Sequence, residues 1–151
     1  MKWTAMTFEE FCIKFVEWTI RDVEAKKLDG FAVCPFARKA RITNAIQFMD
    51  CRDNNLDSYR AFDRTKFEIG IAWVDGNNIV DVQTVLDVLS SEHPELLYFT
   101  STPESGHFVQ NFTNCVFIQS REDIMEKRAV MQKTSYYDSW PKAYLDSITS
   151  V

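Results

Sequence analysis

The strand predicted at residues 66–74 constrains the fold more than any other segment, because its two faces differ in size. Its large apolar side chains alternate along the chain and share one face: Phe67, Ile69, Ile71 and Trp73. The opposite face carries Gly70 and Ala72, and these small residues predict that a helix lies close against it. A strand with these two faces belongs in a sheet that is packed by helices.

A long helix is predicted at residues 8–26, before this strand. Its apolar residues follow helical spacing: Phe8, Phe11, Cys12, Phe15, Val16, Ile20 and Val23. Thr7 and Glu10 match a capping box at its start. Cys12 lies in the middle of the stripe, which favours the role of a small core residue.

Further elements alternate along the rest of the chain. The predicted strands are 31–33, 45–51, 96–100 and 114–119, and the predicted helices are 35–41, 56–62, 120–133 and a last one that begins at Ser139. The turn at Asp75-Gly76 could close a hairpin onto residues 79–82, but the spacing of Ile79, Val82 and Leu86 favours a helix there.

These elements predict an α+β, or α/β, fold in a single domain over residues 1–151. The expected architecture is a single sheet of about four strands packed by helices, with a long N-terminal helix and two C-terminal helices. The pattern leaves the strand order open.

Charge and composition exclude several classes of protein. The formal net charge is 17 − 22 = −5, which argues against general nucleic-acid binding because phosphate contacts need concentrated Lys and Arg. No apolar run of about 20 residues is present, so no membrane association is expected. The N-terminal residues lack the apolar segment of a signal peptide. We therefore expect a cytoplasmic protein with reduced cysteines.

The four cysteines and two histidines do not follow the spacing of a metal site. Cys12, Cys34, Cys51 and Cys115 form no C-x-x-C pair, and neither histidine belongs to a His-rich motif. We therefore predict no metal and no cofactor.

The strongest chemical signal is a thiol directly before a helix start. Cys34 precedes Pro35, which is favourable at the first helical position, and the cations Arg38 and Arg41 follow within about two turns. The free N–H groups of a first helical turn stabilise a thiolate or bind an anion. Arg38 and Arg41 are therefore candidate ligand-binding residues. The alternative is a buried structural cysteine with solvated basic neighbours.

A second candidate site is the polar loop 100–107, which follows a predicted strand. Thr102 and Ser105 supply hydroxyl groups for a ligand, and His107 could act as a base toward Cys34. Cys34 and His107 are thus the candidate catalytic pair, although His107 could equally be a turn residue. Whether the protein is an enzyme is left open.

A third candidate is the aromatic segment 136–140, in which Tyr137 could contact a ligand or a partner. The same rings could instead pack the last helix against the core. This segment supports an alternative function as a non-enzymatic interaction module, including a homodimer. The expected partners are therefore a small anionic ligand or a protein.

Two resemblances involve Cys34. Trp18 together with Phe31-Ala32-Val33-Cys34-Pro35-Phe36-Ala37 resembles an uncharacterised bacterial family with a Cys-Pro-Phe-Ala motif after its first helix. That match covers about residues 8–41 and implies no activity. The chain is also similar in general character to small hypothetical proteins of marine phages.

The segment Cys34–Ala40 is also similar to the Cys-Pro-aromatic-Cys turn of glutaredoxins. That resemblance implies a thioredoxin-like arrangement in which Cys34 is the attacking thiol. Ala37 replaces the second cysteine, so only a monothiol redox mechanism would follow. Thr102-Pro103 would then take the position of the family's Thr-Pro pair.

Overall fold

The computed structural model describes residues 6–24, 27–28, 31–32, 37–101 and 114–133. In chain order these residues form α1 (Phe8–Trp18), a π-helical segment (Thr19–Glu24), β1 (Lys27–Leu28), β2 (Phe31–Ala32), α2 (Ala37–Ile42), β3 (Ile46–Asp50), α3 (Leu56–Arg60), β4 (Ile69–Trp73), a 3-10 turn (Gly76–Asn78), α4 (Ile79–Glu92), β5 (Leu96–Ser101), β6 (Cys115–Ser120) and α5 (Arg121–Gln132). The last predicted helix, from Ser139 on, lies outside the described residues.

The main sheet has four strands in the order β3-β4-β6-β5. β3 runs parallel to β4, and β6 is antiparallel to both β4 and β5. β4, α4 and β5 therefore form a split β-α-β unit in which β6 lies between the two parallel strands. β1 and β2 form a separate antiparallel pair. The prediction of an α+β fold with one sheet of about four strands is confirmed.

The two faces of the sheet pack against different helices. α1 covers one face, where Phe11 and Phe15 meet Ile71 and Trp73 of β4. α4 covers the opposite face, where its buried residues cluster with strand residues: Met49, Ala72, Val82, Leu86, Leu89, Val116 and Ile118. The small face of β4 thus accommodates a helix, as its sequence predicts.

Local capping chemistry places the helix starts where the sequence predicts them. The Thr7 hydroxyl accepts a hydrogen bond from the Glu10 backbone N–H at 3.1 Å, and Ser120 accepts one from the Asp123 N–H at 3.4 Å. After β4, the Asp75 carboxylate accepts a bond from the Asn77 N–H at 3.0 Å and starts the 3-10 turn that leads into α4. The prediction that a helix, and not a hairpin strand, follows the turn at Asp75-Gly76 is therefore confirmed.

The first helix departs from its predicted pattern at Thr19. The α-helix ends at Trp18, and Thr19–Glu24 form a π-helix. Thr19 is 4% exposed and Val23 is 8% exposed, whereas Ile20 is 44% exposed. A π-helix spans i→i+5, so its wider turn brings Val23 back toward the sheet. The prediction that Ile20 belongs to the apolar stripe is therefore wrong.

No helix among the described residues is long and apolar enough to cross a membrane.

Candidate ligand-binding cavity

Most of the site residues predicted from the sequence lie outside the described residues. They are Cys34, Thr102, Ser105, His107 and Tyr137. The proposed Cys34–His107 pairing is therefore a prediction that the structure does not describe. Arg38 and Arg41 are described, and both belong to α2.

Arg41 is engaged by a carboxylate of the protein itself. Its Nε donates to Glu24 Oε2 at 2.7 Å, and its Nη2 donates to Glu24 Oε1 at 2.9 Å. These hydrogen bonds lower the pKa of Glu24, and the nearby charge of Arg38 adds to the effect. Arg38 itself is exposed. The charge of Arg41 is thus matched within the fold, and Arg38 is the more accessible cation of the two.

A cavity of about 280 Å³ lies between the first helix and the sheet. The helical wall is formed by Phe15, Trp18 and Val23, which flank the change from α- to π-helix. The sheet wall comes from apolar residues on the α1 side of three neighbouring strands: Ile46, Ile69, Ile71 and Phe117. A concave apolar site with few polar groups is the usual form of a small-molecule site.

The aromatic part of the wall is organised around Phe15. Its ring lies 5.6 Å from Trp18, 5.5 Å from Phe48 and 6.0 Å from Phe117 between centroids. The Phe48 contact is edge-on, and the other two are tilted. These geometries suit the aromatic quadrupole and hold the rings in place around the cavity.

Thr19 marks the helix transition and also lines the cavity. Its buried hydroxyl donates to the Phe15 carbonyl at 2.8 Å, and its backbone N–H bonds to the same carbonyl. A Thr hydroxyl that bonds the carbonyl four residues earlier perturbs the helix ladder. Single π-turns within helices occur frequently at functional sites.

Two polar side chains complete the cavity lining. Gln119 lies on β6, and Lys127 lies on α5, where its Nζ donates to Glu68 Oε1 at 2.8 Å. Lys127 is the charged side chain among the described lining residues, and Glu68 is not part of the lining. Within the described part of the chain, the side-chain amide of Gln119 has no hydrogen bond.

A second, polar pocket of about 340 Å³ lies beyond the carboxyl ends of β3 and β4. Its lining includes Asp53, Asp75 and Asp81, but Asp53 binds the Asn55 N–H and the Ser58 hydroxyl, and Asp75 caps the 3-10 turn. Among the residues that the structure describes, no three His, Cys, Asp or Glu side chains form a metal-binding group. Asp53 and Asp75 thus stabilise loops, and Asp81 lies in the first turn of α4.

The described cysteines are poor nucleophiles. Burial raises the pKa of both Cys51 and Cys115 to about 12, although a hydrogen bond with Ser101 partly offsets the effect at Cys115. Burial also raises the pKa of Cys12. Because the thiolate is the reactive form, the raised pKa values keep these three thiols protonated and weakly reactive at neutral pH.

Comparison with known proteins adds no relative to these observations. No family model, no curated protein and no solved structure matches the chain. The fold and the cavity therefore describe the protein only as an α+β fold with an apolar cavity between its first helix and its sheet. The resemblances that involve Cys34 stay predictions.

The sequence gives little sign of the cavity, because most of its lining residues are ordinary core types. The polar residues are the exception. Thr19 interrupts the buried side of an amphipathic helix, and Gln119 lies two residues after Phe117 on the same face of a strand. A polar residue on a core-facing position is the signal that could have indicated a site there.

Proposed function

We propose that this protein binds a small apolar molecule in the cavity between α1, the π-helical segment and the sheet. The observation that carries the proposal is the cavity itself, with seven apolar residues among its ten described lining residues. Its position at the α-to-π transition supports the proposal.

The volume limits the size of the ligand. The cavity, at about 280 Å³, is nearly twice the ~150 Å³ of an engineered cavity that binds benzene. A molecule with two fused rings, or an aliphatic molecule of similar volume, fits this space. The aromatic wall of Phe15, Trp18 and Phe117 favours a flat ligand, because rings pack well edge-to-face against it.

Titration with indole, a neutral two-ring probe, tests the proposal. In a ¹⁵N-labelled sample, the expected result is saturable shifts of backbone amides near Phe15, Trp18 and Phe117, with little change around α4. Calorimetry supplies the affinity. The absence of any saturable shift, or shifts spread evenly over the surface, would contradict the proposal.

A cavity-filling variant provides the matched control. Val23→Phe places a ring in the cavity and should abolish indole binding. Val88→Phe makes the same change on α4, where Val88 is 44% exposed, and should leave binding unchanged. Because Val23→Phe could also disturb folding, the shift map of the unaltered protein remains the primary test.

A reactive thiol or an anion site at Cys34 and Arg38 is a second proposal. It is favoured by the raised pKa values of Cys12, Cys51 and Cys115, which leave Cys34 as the candidate for a reactive thiolate. A monothiol, glutaredoxin-like redox role is one form of this proposal, and His107 would serve as its base.

Alkylation by iodoacetamide across pH 5–9 tests the thiol. We expect one fast-reacting thiol per chain, which disappears in Cys34→Ser. Because the three other thiols are suppressed, they contribute little background. A Cys34 that reacts no faster than free cysteine rules out the thiolate.

The remaining alternative is a non-enzymatic interaction module in the cytoplasm, including a homodimer. Exposed apolar side chains on two helices support it, among them Ile13 at 53% and Val130 at 53%. Sedimentation at several concentrations tests self-association. A monodisperse monomer at the highest concentration counts against the homodimer.

A further inference from the structure

We infer that the ligand of the cavity carries an anionic group and that Gln119 and Lys127 bind this group. The inference rests on the proposed function, since it names the chemical class of the molecule that the cavity takes: a flat apolar acid. Its basis is the placement of charge around an otherwise apolar space.

Among the described lining residues, Lys127 contributes the charge, which is positive. Lys127 lines the cavity, while its ion-pair partner Glu68 does not. A ligand in the cavity is therefore closer to the positive member of the pair. The Lys127 side chain is only 23% exposed, so water screens its charge incompletely.

Gln119 adds a directional donor at the same end of the sheet, because Lys127 binds Glu68, the residue before Ile69, and Ile69 pairs with Gln119. It lies on the same sheet face as Ile69, its register partner on β4, which also lines the cavity. An amide N–H₂ offers two donors, and an ammonium offers three. A carboxylate is acceptor-only and can take hydrogen bonds from both groups at once.

The rest of the lining fixes where the acid group of the ligand lies. The Thr19 hydroxyl already donates its proton to the Phe15 carbonyl and keeps only acceptor capacity, and the remaining described lining is apolar. A carboxylate, which only accepts hydrogen bonds, would find no donor among the described side chains away from Gln119 and Lys127, and its burial there would be costly. The acid group must therefore lie at the Gln119 and Lys127 end.

Three ligands of one shape test the inference: 2-naphthoate, 2-naphthamide and 2-naphthylmethylammonium. By calorimetry at low salt, we expect the acid to bind about tenfold more tightly than the amide, because a hydrogen bond to a charged group adds about that much affinity. The ammonium compound should bind most weakly.

Variants identify the residues responsible. Lys127→Gln should reduce the preference for acid over amide to about twofold or less. Glu68→Gln should increase affinity for the acid severalfold, because Glu68 is a carboxylate that competes with the ligand for Lys127. Gln119→Leu should lower the affinities of both the acid and the amide. Lys133→Gln is the control, because Lys133 is an exposed lysine at the end of α5 that does not line the cavity. It should leave the affinities of all three ligands unchanged.

The outcomes separate the two proposals. If the amide binds but the acid binds no better, the inference fails and the apolar cavity stands as a site. If the acid is preferred equally in Lys127→Gln, the assigned residue is wrong and the inference fails. If none of the three ligands nor indole binds, the proposed function fails as well.

Discussion

Arg41 and Glu24 form a two-pronged ion pair that joins α2 to the end of the π-helical segment. The two N–H···O distances are 2.7 and 2.9 Å, and the Glu24 side chain is only 9% exposed. Such a parallel arrangement fixes the relative position of both groups. In sequence, α2 follows directly after Cys34-Pro35-Phe36, so the pair couples the helix after this motif to the helix that lines the cavity.

Glu24→Gln should lower stability at neutral pH and flatten its pH dependence. The hydrogen bonds from Arg41 lower the pKa of Glu24 below its ordinary value of 4.5. The carboxylate therefore contributes stability above pH 4.5 that is lost as the pH falls through the lower pKa of the folded state. At pH 7 we expect a loss of about 1 kcal/mol, the upper end for partly exposed pairs.

Urea unfolding at pH 7 and pH 3 measures this effect. The difference in unfolding free energy between wild type and Glu24→Gln should be present at pH 7 and shrink at pH 3. Glu17→Gln, a change at an exposed carboxylate of α1, is the control. Equal pH dependence in Glu24→Gln and wild type would show that the pair contributes nothing.

Gly70→Ala should destabilise the fold by about 1–3 kcal/mol through overpacking. A Cβ at this position would lie 2.8 Å from Phe62 Cδ1 and 2.9 Å from Met49 Cε. The flexible Met49 methyl can move aside, but the Phe62 ring is partly buried in the core on the α4 side. The ring must therefore shift, which costs packing.

Thermal and urea unfolding of Gly70→Ala, Phe62→Leu and the double variant separate overpacking from other effects. Leucine removes the ring atoms that the new methyl would strike, so Gly70→Ala should cost less in the Phe62→Leu background. If the two changes add without coupling, the close contact with Phe62 is not the cause.

Local chemistry explains why much of the fold could be predicted. Thr7 and Ser120 cap helices through side chains that bond backbone groups three residues away, and this pattern is visible in the sequence. Strand order could not be predicted in the same way. The insertion of β6 between β4 and β5 depends on pairings between residues far apart in sequence, which alternation does not encode.

The first helix shows where hydrophobicity alone misleads. Ile20 is apolar, but it lies five residues after Phe15 and therefore on a different face of the helix, and it is 44% exposed. Thr19, four residues after Phe15, is buried instead at the start of the π-helix, and Val23 is buried as predicted. The same departure shapes the cavity, since Thr19 and Val23 line it. The cavity could not be predicted from reactive residues, because its wall is mostly made of Phe, Trp, Ile and Val side chains, which are also ordinary core residues.

Trp73→Ala should destabilise the protein by about 3–5 kcal/mol, more than any of the substitutions above. Trp73 is 3% exposed, and its ring stacks on the Phe11 ring with 4.9 Å between the centroids and 9° between the ring planes. The Arg52 guanidinium lies 3.9 Å from its centroid. Removal of the indole therefore opens the core under α1.

Arg52→Lys tests the guanidinium separately and should cost less than about 1 kcal/mol. It replaces the planar group that stacks on Trp73 and binds both oxygens of Asp50 at 2.8 and 2.7 Å. The Arg52 and Asp50 side chains are 40% and 37% exposed, so solvent screens their pairing. Urea unfolding compares the two variants, and a loss from Arg52→Lys as large as that from Trp73→Ala would contradict this ranking.

Tyr59→Phe should destabilise the protein by about 1 kcal/mol through loss of one hydrogen bond. The Tyr59 ring is 2% exposed, and its hydroxyl donates to Asn54 Oδ1 at 3.0 Å. Asn54 adopts φ 55°, a left-handed conformation that Asn tolerates better than most residues. The hydrogen bond from Tyr59 thus stabilises a turn in which the backbone of Asn54 is strained.

Asn54→Gly provides the partner variant, because glycine relieves the left-handed conformation but removes the acceptor of the Tyr59 hydroxyl. In wild type these two effects oppose each other, so the change in unfolding free energy should be small. In the Tyr59→Phe background only the relief remains, and Asn54→Gly should stabilise the protein. A double-variant cycle by urea unfolding measures this coupling, and a value indistinguishable from zero would show that the Tyr59–Asn54 bond does not support the turn.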